Sequence, residues 1–175
     1  AVDSCRCIHH PALLAALKFW RPQHIPWVLS GWFALNSAPG GLTKYLNDLG
    51  FTKEEHMKEY EIWREWTSTS PIPPFYPGFL SLLEKLQQHS VKVIICSHSE
   101  DTQIARHYKT TSITPDFIYG WSHDKTKTKP APFPVLDAVA KFGLDSPADC
   151  AVVDDMAPGI TMAQVAGAYP ICAAW

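Results

Sequence analysis

Two short apolar runs, each closed by a polar stop, constrain the fold of this 175-residue chain more than any other feature. Residues 91–96 read VKVIIC and residues 150–153 read CAVV. Unbroken runs of this kind suit strands buried on both faces, the habit of parallel sheets covered by helices. Helical spacing follows each run. Residues 99–110 read as a helix with Ser99 as N-cap, and 158–166 opens on Pro-Gly and continues apolar. Between them, 117–121 reads as a strand, and Val135, Leu136, Val139 and Phe142 fall at helical spacing within 132–142; 169–173 closes as a last short strand. Phe79, Leu82, Leu83 and Leu86 place an i, i+3, i+4, i+7 stripe behind Pro77-Gly78. Helix and strand alternating in this order imply an α/β fold built on a doubly wound parallel sheet.

The first part of the chain has a different texture. Residues 8–70 contain no β-branched run, and helical patterns lie at about 9–20, 42–49 and 53–66. The last opens with Thr52-Lys53-Glu54-Glu55, a capping-box sequence. Five of the seven tryptophans fall here, the pattern of a packed helical module. Residues 68–77 carry four prolines and read as a stiff linker. The expected division is a helical module at 1–74 and an α/β core at 75–175.

Composition narrows the class of function. A net charge of −2 supplies no electrostatic basis for binding nucleic acid or an anionic membrane, and no apolar stretch is long enough to span a bilayer. Three of the five cysteines (Cys96, Cys150, Cys172) lie in strand-like apolar runs. Buried free thiols and a cytoplasmic setting are the expectation. Cys5, Cys7, His9 and His10 are residue types that bind zinc, but no second ligand pair follows at the usual spacing. Gly40-Gly41 has no Lys-Ser/Thr behind it and reads as a turn.

Ligands of open α/β sheets bind outside the carboxyl ends of the strands. One such end carries Ser97, His98 and Ser99; another carries Asp154 and Asp155; the loop before the helix at 132 carries Lys129. Adjacent carboxylates on a strand end repel each other, and a hard divalent cation such as Mg2+ relieves that repulsion. A hydroxyl and an ammonium at the same edge suit phosphoryl oxygens. Ser97 and Lys129 are the candidate catalytic residues, Ser97, His98 and Lys129 the candidate substrate contacts, and Asp154 and Asp155 the candidate metal ligands. Lys125 and Lys127 are read as solvated.

These residues carry a resemblance. Ser97 at a strand end, Lys129 in KPAPFPVL and the acidic pair in DDMAPGI resemble the second, third and fourth motifs of the haloacid dehalogenase superfamily, in order and at plausible spacing. The KPAP and DDxxxGI patterns are similar to the branch that holds β-phosphoglucomutase and phosphoglycolate phosphatase. The resemblance covers residues 75–175, and it implies that the helical module is the family's cap. The family's first motif, a strand ending in Asp-x-Asp-Gly that supplies the nucleophile and the general acid, has no match. Ala1-Val2-Asp3-Ser4 is instead similar to the Leu-Val-Asp-Ser that trails it. What the resemblance implies is a Mg2+-dependent phosphatase of a small phosphorylated metabolite, monomeric or weakly dimeric, whose attacking Asp lies upstream of Ala1. The 175 residues by themselves are then expected to be inactive and to lack a central core strand. The alternatives are a non-catalytic relative that keeps the phosphate- and metal-binding edge, or a mutase, dehalogenase or phosphonatase. A dehalogenase has no need of the acidic pair, and a phosphonatase needs a cap lysine, with Lys18, Lys44, Lys53 and Lys58 on hand.

Overall fold

The computed structural model describes residues 2–38 and 40–174, apart from the Ser37 side chain. It divides into two compact units, Ala1–Phe75 and Tyr76–Trp175.

The first unit is helical. A π-helical turn at Cys5–His9 runs into α1 (His10–Trp20), followed by α2 (Leu29–Ser37), α3 (Gly41–Asp48) and α4 (Lys53–Thr69). Leu13, Leu17, Trp32, Leu35, Leu46 and Phe51 form its core. The capping box read from sequence is present: the Thr52 hydroxyl accepts from the Glu55 N–H, and the Glu55 carboxylate accepts from the Thr52 N–H at 2.8 Å. Glu55 also takes both arms of Arg21, at 3.0 and 3.1 Å. The rest of that guanidinium donates to the carbonyls of Trp20, Leu49 and Gly50, all at a helix end. All five N–H donors of one arginine are therefore engaged, and they join the ends of α1 and α3 to the start of α4. His9 and His10 are occupied as packing groups. His9 Nδ1 accepts from the Trp63 indole N–H at 2.8 Å, and His10 Nε2 donates to the Trp27 carbonyl.

The second unit runs α5 (Phe79–Gln88), β1 (Ile94–Cys96), α6 (Asp101–Tyr108), β2 (Phe117–Tyr119), α7 (Phe133–Phe142), β3 (Ala151–Asp154), α8 (Ala157–Ala166) and β4 (Tyr169–Cys172). The strands form two parallel pairs, β1 with β2 and β3 with β4. The alternation and the parallel sense match the expected α/β class, but among the described residues no ladder joins β1 to β3. Both pairs nevertheless share one layer of helices. Cys96 of β1 and Val152 of β3 pack on the same cluster of Val135 from α7 and Met162, Ala163 and Ala166 from α8.

Three expectations are corrected. The run at 150–153 is not covered on both faces, since Val152 packs inward while Val153 is 49% exposed. Ser99 does not cap α6; Glu100 holds the N-cap position. Of the three strand cysteines only Cys96 and Cys150 are partly buried, and Cys172 is exposed; none of the three is in a disulfide.

The Arg21–Glu55 pair carries a pH signature. Its bonds to Arg21 and to the Thr52 N–H hold the Glu55 carboxyl at about 2, against 4.5 ordinarily. A depressed carboxyl contributes stability that is present above the unfolded value and is lost as pH falls through the folded one. Wild type and Glu55→Gln, compared by tryptophan fluorescence in denaturant, are expected to differ most above pH 4.5 and to converge toward pH 2. A gap that is constant across this window contradicts the assignment.

Candidate active site

The carboxyl ends of β1 and β3 are drawn together by Lys129. Its ammonium donates to Asp154 Oδ2 at 2.6 Å, and its backbone carbonyl accepts from His98 Nε2 at 2.9 Å. The two charged side chains are largely withdrawn from water, at 12% and 10% exposure. The peptide from Lys129 to Pro130 is cis.

Asp154 sits where α8 begins. Its Oδ1 accepts the Met156 N–H at 2.8 Å, so one carboxylate joins an ammonium on one side to the first turn of a helix on the other. Gly159, in the first turn of α8, makes this possible. A Cβ there would lie 2.5 Å from the Asp154 Cβ and overlap the carboxylate. The glycine of DDxxxG is thus the floor on which the first acid rests, a role that spacing alone did not disclose. Asp155 follows on the exposed side of the turn.

Ser97 lies at the end of β1. Its N–H donates to the Tyr119 carbonyl, and its hydroxyl oxygen accepts the Ser99 N–H at 3.1 Å. That leaves its own O–H to donate to a ligand. Opposite, at the end of β2, Gly120 lets α6 approach closely: a Cβ there would come within 2.7 Å of the Asp101 nitrogen and 2.9 Å of the Ser99 carbonyl. The following loop is ordered by aromatic contacts. His123 meets Trp121 edge-on at 4.3 Å, and Lys125 and Lys127 lie over the rings of Trp121 and Phe133 at 5.2 and 5.8 Å. Both lysines are exposed, as expected, and their stems lie along these rings.

Burial sets the ionisation of Cys96, which sits just behind the site. It pushes the thiol up to about 11; the Lys129 ammonium opposes this and Asp154 reinforces it. His98 is pulled below its ordinary value, first by partial desolvation and further by the Lys129 and Lys125 ammoniums.

The residue set has the donors a Mg2+ ion takes. Hard carboxylate oxygens on consecutive residues, beside groups suited to phosphate, match a cation that uses one or two carboxylates and completes its shell with water and phosphate. Asp154 and Asp155 are the residues that would hold it. Of the five candidates, Lys129, Asp154 and His98 are joined by hydrogen bonds, while Ser97 shares the β1 end with His98.

A family model for haloacid dehalogenase-like hydrolases matches residues 31–167. The chain belongs to that family. Phosphonoacetaldehyde hydrolase of Bordetella pertussis is 30% identical over 98 residues, which is 54% of this chain and 35% of that one. The chain thus spans about a third of the length of the curated relatives it matches. Among solved structures, a predicted phosphoglycolate phosphatase from Haemophilus somnus 129pt is similar at a TM-score of 0.74 and 19% identity, over 97% of this chain and 78% of that one. A β-phosphoglucomutase from Clostridium difficile is similar at 0.73 and 19%, over the same shares. Likeness at that identity is likeness of fold.

Two outcomes are expected. Gly159→Ala displaces the Asp154 carboxylate, and because breaking a buried ion pair costs about 3–5 kcal/mol, a loss of stability on that order is expected in denaturant melts. A variant as stable as wild type contradicts the steric role. With iodoacetamide at pH 8, Cys7 and Cys172 are expected to be alkylated readily and Cys96 to resist until the chain is unfolded; equal labelling by mass spectrometry contradicts the burial.

Proposed function

We propose that residues 76–175 bind the phosphoryl group of a small phosphorylated metabolite and belong to a Mg2+-dependent phosphatase. The observation that supports this best is the Lys129–Asp154 pair at the strand ends, 2.6 Å apart and sheltered from water. A lysine held this way by a single acid presents its remaining N–H donors to an anion, with its charge unscreened by bulk solvent. The Ser97 O–H donates to a second phosphoryl oxygen. Asp154 and Asp155 are the ligands assigned to Mg2+, which when bound neutralises phosphoryl charge. Lys129 carries out the same task from the protein side, and its pairing with Asp154 keeps it from swinging into solvent.

The attacking carboxylate is assigned to the family's first motif and to none of the acids described above. Asp3, the acid nearest the start, is engaged by Arg6 at 3.0 Å and lies in the helical unit. The helical unit is assigned the part of a cap that supplies substrate specificity.

A second reading, hydrolysis of a carbon–phosphorus bond, is favoured by the 30% identity to phosphonoacetaldehyde hydrolase. That reading needs a neutral amine to condense with an aldehyde, and Lys58 is a poor fit, because its bond to Glu61 raises its pKa. Borohydride reduction in the presence of phosphonoacetaldehyde, followed by peptide mass mapping, separates the two. A lysine adduct supports the phosphonatase and none supports the phosphatase.

With the 175 residues alone, no hydrolysis of an aryl phosphate is expected with or without Mg2+, whereas inorganic phosphate still binds by calorimetry. Because a hydrogen bond to a charged group contributes roughly 1.5–3 kcal/mol, Lys129→Met is expected to weaken that binding at least tenfold. Mg2+-dependent turnover would refute the placement of the nucleophile, and unchanged phosphate affinity in Lys129→Met would refute the site.

A further inference from the structure

Lys129 is held at two points, and only one of them is its charge. The ammonium is bonded to Asp154 at the end of β3, while the backbone carbonyl of the same residue accepts from His98 Nε2 at the end of β1. A carbonyl oxygen can only accept, so the His98 proton is on Nε2 and the ring is committed to this bond. Since no ladder joins β1 to β3 among the described residues, the hydrogen-bonded path from His98 through Lys129 to Asp154 links the two strand pairs at the ends where the site lies.

We propose that His98 is a positioning residue: it ties the Lys129 backbone to the end of β1, so that the lysine reaches both Asp154 and an anion seated between the strand ends. This rests on the phosphate-site reading above, and it gives His98 a different part from the substrate contact expected from sequence. A lysine side chain has many rotamers, and an ammonium on an untethered loop would spend much of its time elsewhere. The groups facing the imidazole are Lys129, Lys125 and Asp154. With its pKa lowered, the ring is neutral at physiological pH and adds no charge that competes with Lys129 for the anion.

The first test does not depend on any ligand. Lysine amines are reductively methylated with formaldehyde and a borohydride, and the rate at Lys129 is read by peptide mass spectrometry against exposed Lys109 in the same molecule. His98→Ala is expected to raise the relative rate at Lys129 roughly two- to tenfold, the factor that one ordinary hydrogen bond is worth. His98→Gln, whose amide N–H reaches about as far as Nε2, is expected to restore the wild-type rate. Equal rates in wild type and His98→Ala overturn the proposal, as does a folded His98→Gln that labels like the alanine variant.

The second test titrates inorganic phosphate by calorimetry. His98→Ala is expected to weaken binding by the same factor, and His98→Gln to recover it. If Lys129→Met loses phosphate while His98→Ala does not weaken it, the positioning role falls and the site stands. If Lys129→Met binds phosphate like wild type, the site reading falls, and the methylation rates alone decide the tether.

Discussion

The 2.6 Å bond between the Lys129 ammonium and the Asp154 carboxylate is the constraint around which the α/β unit is arranged. Removing two charges from water is costly, and the cost is recovered only when each finds a partner and further hydrogen bonds. Here Asp154 gains the Met156 N–H and the favourable end of α8, and it needs a residue without a side chain at Gly159 to fit. The register of β3, the start of α8 and the course of the loop before α7 all meet at this contact. A shift of any one of them by a residue would strand a charge in a poorly hydrated place.

The same contact explains why the site occupies the strand ends and not a face of the unit. Cys96 of β1 and Val152 of β3 are spent on α7 and α8, and polar residues begin where that cover ends. Ser97, His98 and Asp154 are simply the first residues past the packed layer, and the loop carrying Lys129 crosses over them. Membership of the haloacid dehalogenase-like hydrolases is in keeping with this layout, because open α/β sheets place their sites outside the carboxyl ends of the strands.

Much of this was legible in the amino-acid sequence, and what was not has physical reasons. The strands at 94–96 and 151–154 stood out because β-branched runs between polar stops have few other uses. The capping box at Thr52–Glu55 was legible because it is local, four residues satisfying one another. By contrast α2 was missed. Its sequence, LSGWFALNS, has a glycine inside and no side-chain cap, so it is helical through the burial of Trp32 and Leu35 and not through propensity. Ser99 reads as a cap because a serine ahead of a helix is a sound local signal, yet the helix starts one residue later than that signal suggests. The residue types of the site were visible as motifs, and the link from His98 to a backbone carbonyl 31 residues away was not. No pattern of side chains encodes a main-chain acceptor.

In the helical unit Arg21 plays the part that Lys129 plays in the other, with the difference that every one of its donors is spent on neighbours inside residues 20–55. A fastening that closes on itself is portable. Substitutions elsewhere on the surface of these helices leave it intact, so that surface can vary while the fastening holds. Its freedom to diversify would then come from one guanidinium that asks nothing of the rest of the chain.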